Sequence, residues 1–414
     1  MKIAVIGAGI SGLSIGKMLS KRHDVVIYEA DSRPGGLIKC DVVKGSLFHR
    51  TGGHVFNSKR HDVLDWFWGN FNRDDEFIKA TRNAAVSLGD GKFVSYPIEN
   101  HVYQLDGNIQ KSVIADLVEI AKDNGASPEN FEEFLMRRFG KTLYDLYFEP
   151  YNNKVWKRDL SKVSLSWLEG KLPMPTVHEI IYNNINQIKE NKFVHSSFFY
   201  PKHNGSQSIA DRLAYGLDVR YNVKIENLRR DGVQWFVDGT AFDRLIYCGN
   251  IKNIQRLLND CIDVSAFTSE ISKLAYHGTT TVFCEVAKNP YSWVYLPGRS
   301  CASHRIICTG NFSEHNNAAN KMTATIEFTD EIAMYDILEH LGHMPFLPKY
   351  LSHHYEKYTY PIQDKTTRTM LDGLKTILSK NGMYLLGRFA EWEYYNMDAA
   401  VGAAIDLDAL PDFQ

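Results

Sequence analysis

Three glycines near the start of the chain have the spacing of a phosphate-binding turn. Gly7, Gly9 and Gly12 form the pattern G-x-G-x-x-G between a short apolar run and residues with helical spacing. Gly7 suits a tight turn, Gly9 leaves room for a pyrophosphate, and Gly12 lets the helix pack close to the preceding strand. Glu29 ends the next apolar run, where a carboxylate accepts hydrogen bonds from a ribose hydroxyl. The order and distance of these residues predict a dinucleotide-binding site.

A second glycine pair follows the acidic residue. Arg33 precedes Gly35-Gly36, and Leu37 comes next. An acidic residue followed by R-x-G-G resembles the extension found in FAD proteins of the glutathione-reductase and amine-oxidase type. This resemblance favours FAD over NAD as the resident cofactor, with a second close approach of the backbone at Gly36.

The elements that position these residues are those of a Rossmann-like domain. The apolar runs Lys2–Ile6 and 25–28 predict buried parallel strands on either side of a helix. Short runs at 223–225 and 244–249 are predicted to rejoin the same sheet, and 383–386 is predicted as a last strand. A helix is predicted from Asn396 to about residue 405.

A chain of 414 residues is too long for one simple core, so two or three domains are expected. The predicted fold class is α/β, with a Rossmann-like FAD-binding domain, a helical insertion and an antiparallel-sheet substrate domain. The FAD-binding domain is predicted to be discontinuous and to comprise residues 1–105, 200–262 and 380–414. The helical domain is placed at 106–199 and the substrate domain at 263–379.

Periodicity supports this division. The predicted helices of the insertion are 113–121, 130–139, 143–149 and 177–190. The predicted strands of the substrate domain are 280–286, 293–296, 305–309 and 323–328, with one helix near 331–341. A hairpin is predicted at 82–97, around Gly89-Asp90-Gly91.

Composition excludes several classes of protein. A net charge of −2 gives no reason to expect nucleic acid or an anionic membrane, and no run of eighteen apolar residues is present. A cytoplasmic protein without membrane insertion is therefore expected, and homo-oligomerisation is left open. The six cysteines have no C-x-x-C pair and are expected to be reduced thiols: Cys40, Cys248, Cys261, Cys284, Cys301 and Cys308.

Histidines and arginines supply the other candidate residues. His54 follows Gly52-Gly53, and these glycines would bring the loop against a flat cofactor. Arg305 lies on a predicted strand and, from the residues alone, is either a solvated surface charge or a ligand-binding group. No metal is expected, because four further histidines lack companion ligands and are interpreted as surface residues: His340, His343, His353 and His354.

Taken together, these segments resemble the UDP-galactopyranose mutase family, particularly its eukaryotic-type branch. More loosely, they resemble the superfamily of FAD-dependent amine oxidases and protoporphyrinogen oxidases. The segments that carry the resemblance span nearly the whole chain: GGHVF (52–56), SYPIEN (95–100), PYNNKVW (150–156), SWLEGK (166–171), WVYLP (293–297), HRIICTGNF (304–312), YTYP (358–361), GRFAEWEY (387–394) and NMD (396–398).

The resemblance implies a flavin-dependent mutase acting on UDP-galactopyranose or a related nucleotide-sugar. In that family, N5 of the reduced flavin attacks the anomeric carbon of the sugar and displaces UDP. The flavin N5–sugar adduct opens, closes through a different hydroxyl group and is attacked by UDP, which interconverts pyranose and furanose without net redox change. NAD(P)H or another reductant is implied as the activator.

The resemblance also assigns roles to residues at matching positions. Arg305 would bind the diphosphate with help from Lys171, and these two residues and His54 are the candidate catalytic residues. The remaining residues expected near the substrate are Trp156, Tyr295, Tyr360, Tyr394 and Glu99. The residues expected to contact FAD are Gly7, Gly9, Gly12, Glu29, Arg33, Gly36, Leu37, Gly53, His54, Val55, Val223, Arg388, Met397 and Asp398. The helical insertion would carry a mobile loop that closes over the nucleotide.

Three positions depart from the family pattern. Lys171 replaces an arginine, Phe312 a tyrosine and Glu99 a glutamine, so the nucleotide-sugar is left open. Two other functions are kept as alternatives. One is an FAD-dependent oxidase of the amine oxidase or protoporphyrinogen oxidase type, and the other is a flavoprotein that only binds a nucleotide-sugar.

Overall fold

The computed structural model describes residues 1–122, 127–163, 165, 175–188, 197–259 and 261–414. Its strands are β1 Lys2–Ile6, β2 Asp24–Tyr28, β3 Cys40–Val43, β4 Ser46–His49, β5 Phe77–Thr81, β6 Ala84–Ser87, β7 Phe93–Ser95, β8 Ser197–Pro201, β9 Asp218–Arg220, β10 Arg229–Asp231, β11 Gln234–Val237, β12 Thr240–Phe242, β13 Arg244–Tyr247, β14 Ala275–Glu285, β15 Trp293–Tyr295, β16 Arg305–Ile307, β17 Thr323–Thr329, β18 Lys349–Ile362 and β19 Met383–Leu385. Its α-helices are α1 Ile10–Leu19, α2 His61–Asn70, α3 Arg73–Glu76, α4 Gly107–Lys122, α5 Phe131–Phe139, α6 Lys141–Leu143, α7 Glu149–Trp156, α8 Val177–Ile185, α9 Gln207–Ala214, α10 Ile254–Leu258, α11 Ser265–Lys273, α12 Met334–Leu341, α13 Thr367–Lys380 and α14 Met397–Asp408.

A five-stranded parallel sheet carries the glycine turn, with the strand order β19-β13-β1-β2-β9. The apolar runs of β1 and β2 are buried because layers cover both faces of the sheet. Helices α1, α9 and α14 pack on one face. The small sheet β10–β12 and helices α10, α11 and α13 pack on the other. The predicted strands at the start of the chain and at 244–249 are confirmed.

The edge strand beside β2 differs from the prediction. Residues 223–225 are not a strand, and β9 pairs with β2 instead. Asn222 has a φ of 59°, which ends the extended run before residue 223. The Val223 N–H then donates to the Glu29 carbonyl at 2.9 Å. Val223 therefore lies beside Glu29 although the strand predicted around it is wrong.

A seven-stranded sheet forms the second part, in the order β18-β14-β17-β16-β15-β6-β7. Its neighbouring strands are antiparallel except β15 and β6, which run parallel. The four predicted runs correspond to β14–β17, and the predicted hairpin corresponds to β6 and β7. The hairpin, however, lies in this sheet although the sequence analysis assigned it to segment 1–105. Long-range pairing with β15, in which Trp293 lies opposite Ala84, determines its place.

The helical insertion contains α4 to α8 around a core that includes the fully buried Leu135 and Ile180. The helix predicted at 143–149 extends farther, because α6, a π-helical turn at Tyr144–Phe148 and α7 follow one another without a break. Helix α8 begins as predicted but ends at Ile185, with Asn186 as its C-cap. Residues 166–174, which include Lys171, lie outside the described residues, as do 189 and 190 of the predicted helix.

The last part of the chain adds a strand to the parallel sheet and a helix to each of its two faces. Helix α14 begins at Met397 with Asn396 as its N-cap, close to the prediction, and packs against α1. Strand β19 joins β13 as the outermost parallel strand. Helix α13 was not predicted from the sequence, although Met370, Leu374 and Leu378 form a buried stripe with helical spacing.

Several expectations about composition concern the whole fold. The six cysteines are free thiols. In the described part of the chain, no helix is long and apolar enough to span a bilayer. Within the same residues, no group of three His, Cys, Asp or Glu side chains has the arrangement of metal ligands. The division into three domains remains a proposal.

Gly12 and Gly69 provide a matched test of close packing at the glycine turn. A Cβ atom at Gly12 would lie 2.0 Å from the Gly7 carbonyl oxygen, whereas one at Gly69 in α2 would meet nothing within 4 Å. Overpacking costs ~1–3 kcal/mol, so we expect Gly12→Ala to lower the free energy of unfolding by about that amount. Gly69→Ala should raise it by about 0.5–1 kcal/mol, because alanine favours a helix. Urea unfolding followed by circular dichroism measures both, and equal stabilities of the two variants would contradict the packing.

Candidate functional site

Glu29 lies at the end of β2, beside the glycine turn. Its Oε2 accepts the Ala8 N–H at 2.7 Å, and its Oε1 accepts the Asp31 N–H at 2.9 Å. Each oxygen keeps a lone pair that a ribose hydroxyl could use. The bond to Ala8 ties the carboxylate to the turn, so groups suited to a ribose and to a phosphate lie next to each other.

Two glycine segments meet beside this carboxylate. Gly9 and Gly35 form a backbone bridge, and the Gly35 N–H donates to the Ala8 carbonyl at 2.8 Å. A Cβ atom at Gly36 would lie 3.2 Å from Gly9 Cα. The two segments approach more closely than side chains would allow, so backbone atoms alone meet there, as a pyrophosphate-binding turn requires.

Arg33 and Leu37 flank Gly35-Gly36 in the sequence. Arg33 is held by β3, since its Nη1 donates to the Cys40 carbonyl at 2.8 Å and its Nη2 pairs with Asp41. The Leu37 carbonyl accepts a hydrogen bond from Thr51 Oγ1 at 2.9 Å. Arg33 thus has partners within the protein, and its contact with a cofactor stays a prediction.

The loop after β4 carries Gly53 and His54. A Cβ atom at Gly53 would lie 2.6 Å from Ile307 Cγ2, so the loop rests directly on β16. The Nε2 atom of His54 is buried and has no hydrogen-bond partner among the described residues. Burial, then Arg388 and Arg305, lower the pKa of His54 to about 4, so its ring is neutral at neutral pH. A neutral ring with an unpartnered nitrogen is a side chain that could lie against a flavin.

Arg388, Met397 and Asp398 follow β19 and lie in the same part of the fold. The chain before them reaches the first turn of α1, because a Cβ atom at Gly387 would lie 2.9 Å from Ser11 Oγ. Met397 is buried, and Asp398 is in the first turn of α14. The structure therefore brings these three residues toward the glycine turn.

Arg305 is the central cation of the second half of the site. It lies on β16 directly opposite Glu327 on β17, and its Nε pairs with that carboxylate. Its Nη2 donates to the Tyr360 hydroxyl at 2.8 Å, while Nη1 has no partner among the residues that the structure describes. The side chain is 19% exposed, so this free edge can reach a ligand. Arg305 is a ligand-binding candidate and not a solvated surface charge.

Glu327 is a residue that the sequence analysis missed. Its Oε1 accepts the Gly52 N–H at 2.7 Å, while Oε2 faces Arg305 and lies 3.6 Å from His304 Nε2. Burial alone would raise the pKa of Glu327, but Arg305 and His304 lower it well below its usual range. The available signal was a single acidic residue within the otherwise uncharged segment TATIEFT.

Two tyrosines extend the site from Arg305 toward the segment after β19. Tyr360 and Tyr394 stack with their ring centroids 5.6 Å apart and their planes 8° apart. The Arg388 guanidinium lies 4.7 Å from the centroid of the Tyr394 ring. The structure thus brings together four predicted residues from three separate segments of the chain.

A second aromatic group lies at β15 and α7. The Tyr295 hydroxyl accepts a hydrogen bond from Arg82 Nη2 at 2.8 Å, and its ring meets Tyr151 edge-on at 5.5 Å. Tyr151 had no predicted role of its own. Trp156 ends α7, and its carbonyl accepts a hydrogen bond from His277 Nε2 at 2.7 Å. The predicted contact of Trp156 with a nucleotide stays a prediction.

Glu99 lies in a buried 3-10 turn after the hairpin. Its carbonyl accepts a hydrogen bond from Asn184 Nδ2 at 2.8 Å, and the residue is only 4% exposed. Burial raises the pKa of the Glu99 carboxyl to about 7. A substrate contact for Glu99 stays a prediction, but its environment implies a measurable effect on stability.

The titration of Glu99 predicts a pH-dependent stability. With a usual pKa of 4.5 and a folded value of about 7, the carboxyl holds its proton longer in the folded protein. The stability that the raised pKa of Glu99 gives the folded protein is fully present below the unfolded pKa of 4.5. This stability is lost as pH rises through about 7. We expect Glu99→Gln to be more stable than the parent at about pH 8, by on the order of 1–3 kcal/mol, and no more stable at about pH 4.

Urea unfolding at both pH values measures this effect, with Glu129→Gln at an exposed acid as the control. A Glu99→Gln difference that does not change with pH would contradict the prediction.

Comparisons with known proteins agree with this geometry. Residues 10–307 match the family model described as flavin containing amine oxidoreductase. The UDP-galactopyranose mutase of Mycoplasma genitalium is 23% identical, over 96% of this chain and 92% of that protein. The dTDP-fucopyranose mutase of Escherichia coli is 26% identical, over 42% of this chain and 46% of that protein.

A solved structure extends the comparison to the fold. A crystal structure of reduced UDP-galactopyranose mutase superposes with a TM-score of 0.87 and 22% identity, covering 98% of this chain and 94% of that one. This similarity confirms the predicted α/β fold class with its parallel and antiparallel sheets. Because the matching family model covers most of the sequence, the chain belongs to the family of flavin-containing amine oxidoreductases.

Proposed function

We propose that this chain is a flavin-dependent mutase that interconverts UDP-galactopyranose, or a related nucleotide-sugar, and its furanose form. The observation that carries the proposal is Arg305, a partly buried cation with a free Nη1 edge in the same site as the neutral His54. A diphosphate is the group that such a cation suits. Similarity to mutases of nucleotide-sugars from Mycoplasma genitalium and Escherichia coli supports the same class of reaction.

FAD is the cofactor that this function requires. Gly9, Glu29 and Gly36 would hold its pyrophosphate and ribose, and His54 and Arg388 would lie against its ring system. When bound and reduced, FAD supplies an electron-rich ring nitrogen that can attack a sugar carbon. NAD(P)H or another reductant would activate the protein. The neutral His54 places no cation against the ring.

Arg305 would act on the leaving group. Departure of a nucleoside diphosphate from the sugar builds negative charge on phosphate oxygens. Glu327 and Tyr360 already engage the Nε and Nη2 atoms of Arg305, so its remaining edge is oriented before any ligand arrives. A donor that is oriented in advance stabilises developing charge without further rearrangement.

The aromatic groups would confine the sugar and exclude water. Tyr360 and Tyr394 form a stacked wall beside Arg305, and Tyr295 and Tyr151 form a second group on the side of α7. Burial raises the pKa of Tyr360, and burial likewise raises that of Tyr151 well above the usual range. Both phenols are therefore neutral and can donate hydrogen bonds to phosphate or sugar oxygens.

An isomerisation assay tests this function. The purified protein is incubated anaerobically with UDP-galactofuranose, with or without dithionite, and the products are separated by chromatography. We expect UDP-galactopyranose only when the flavin is reduced, with no reductant consumed for each turnover, because isomerisation involves no net redox change. Peroxide formed in proportion to a product would support an amine oxidase-like function and contradict the proposal.

Arg305→Ala and Arg299→Ala test the diphosphate site as a matched pair. A hydrogen bond to a charged group contributes ~1.5–3 kcal/mol, so Arg305→Ala should lower kcat/KM and the affinity for UDP roughly 10–150-fold. Arg305→Lys should have a kcat/KM and an affinity for UDP between those of the parent and Arg305→Ala, because an ammonium lacks the planar fork of a guanidinium. Arg299 is 78% exposed and pairs with Glu149 at the surface. Arg299→Ala should therefore change kcat/KM and the affinity for UDP by less than about fivefold.

Calorimetric titration with UDP and kinetics on the reduced enzyme measure these effects. If Arg305→Ala keeps the parent's affinity for UDP, the diphosphate binds elsewhere.

A further inference from the structure

Glu327 connects two parts of the site that are distant in sequence. Its residue is 0% exposed, and its two carboxylate oxygens have different partners. Oε1 accepts the Gly52 N–H at 2.7 Å, and Oε2 pairs with Arg305 Nε. One side chain therefore contacts both the loop that carries His54 and the arginine assigned to the diphosphate.

On the side of Arg305, the carboxylate determines which edge of the guanidinium is free. Glu327 and Arg305 are directly opposite on the antiparallel strands β17 and β16, so their backbones are held at a fixed separation. With Nε on Glu327 and Nη2 on the Tyr360 hydroxyl, Nη1 is left for a ligand. Without Glu327, the long arginine side chain would have no charged partner to select this rotamer.

On the side of the loop, the carboxylate of Glu327 anchors the backbone at Gly52, a residue without a side chain that could hold the loop in place. Gly52 has a φ of 63°, and its N–H is the donor that reaches Glu327. The next residue, Gly53, rests against Ile307, which is two positions after Arg305 on β16. The loop and the arginine are thus seated on one strand, and a single acceptor group anchors both.

We propose that Glu327 is a positioning residue that sets Arg305 for the diphosphate and the Gly52–His54 loop for the flavin. The inference rests on the proposed function for the identity of the two ligands. Binding of UDP and of FAD needs no turnover, so both parts can be tested even if the isomerisation assay fails.

The first test is UDP binding to the purified holoenzyme with Glu327→Gln. The amide has one acceptor oxygen and no charge, so it cannot serve both the Gly52 N–H and the Arg305 guanidinium as the carboxylate does. We expect roughly tenfold or greater weakening of UDP binding. The control is Thr325→Val on the same face of β17, because Thr325 Oγ1 is buried and has no partner in the described part of the structure. Its UDP affinity should match that of the parent.

The second test isolates the loop with two double variants that bury no charge. Arg305→Met/Glu327→Gln keeps an acceptor for the Gly52 N–H, whereas Arg305→Met/Glu327→Met does not. We expect the methionine variant to bind FAD roughly fivefold or more weakly than the glutamine variant and to shift the absorption band of the bound flavin.

If Glu327→Gln binds UDP as tightly as the parent, the proposal that Glu327 positions Arg305 is overturned. If the two double variants have equal FAD affinities and equal flavin spectra, the proposal that Glu327 positions the Gly52–His54 loop is overturned. If Glu327→Gln does not fold, the uncharged double variants still decide whether the side chain holds the loop.

Discussion

The ion pair between the partly buried Arg305 and the buried Glu327 is the interaction on which the candidate site depends. Neither charge is stable alone inside the seven-stranded sheet, because removing an ion from water costs more than one ordinary hydrogen bond returns. Glu327 stays ionised because Arg305, His304 and the Gly52 N–H surround it. Arg305 is in turn kept charged and oriented by the same carboxylate. The cation that would receive a ligand is thus held by the protein before the ligand arrives, so less ordering is needed upon binding.

The cofactor half of the site could be predicted from the sequence because its rules are local. Gly9, Gly12 and Glu29 belong to one strand-turn-helix-strand unit, and the spacing within such a unit nearly determines where each residue lies. The structure confirms this unit, with Glu29 bonded to the turn. The substrate half was predicted only through family resemblance. Glu327 was missed because its role depends on the register between β16 and β17, which no local pattern reveals.

The fold shows the same difference between local and long-range information. Periodicity within short windows predicted β6, β7 and β14–β17 of the second sheet, although β18, the longest strand of that sheet, was not predicted. Several helices, among them α5 and α14, follow from the same kind of local pattern. The sheet to which the β6–β7 hairpin belongs follows from its pairing with β15, far along the chain. The three-residue strand β9 is too short to carry a recognisable alternation, so the more apolar residues 223–225 were chosen instead. Helix α13 was not predicted although its buried residues have helical spacing, which is itself a local pattern.

The strand order of the parallel sheet has a consequence for how this chain is made. Strands β1 and β2 and helix α1 precede the other strands of this sheet along the chain, so they leave the ribosome before them and can associate locally. The other neighbour of β1 is β13, which is synthesised much later, and β13 gains β19 only after residue 383 has emerged. Until then the growing chain presents an unpaired strand edge, whose free N–H and C=O groups can pair with another chain. Such an edge is a surface that chaperones shield, so efficient production of this protein should depend on protecting its first strands while the rest is translated.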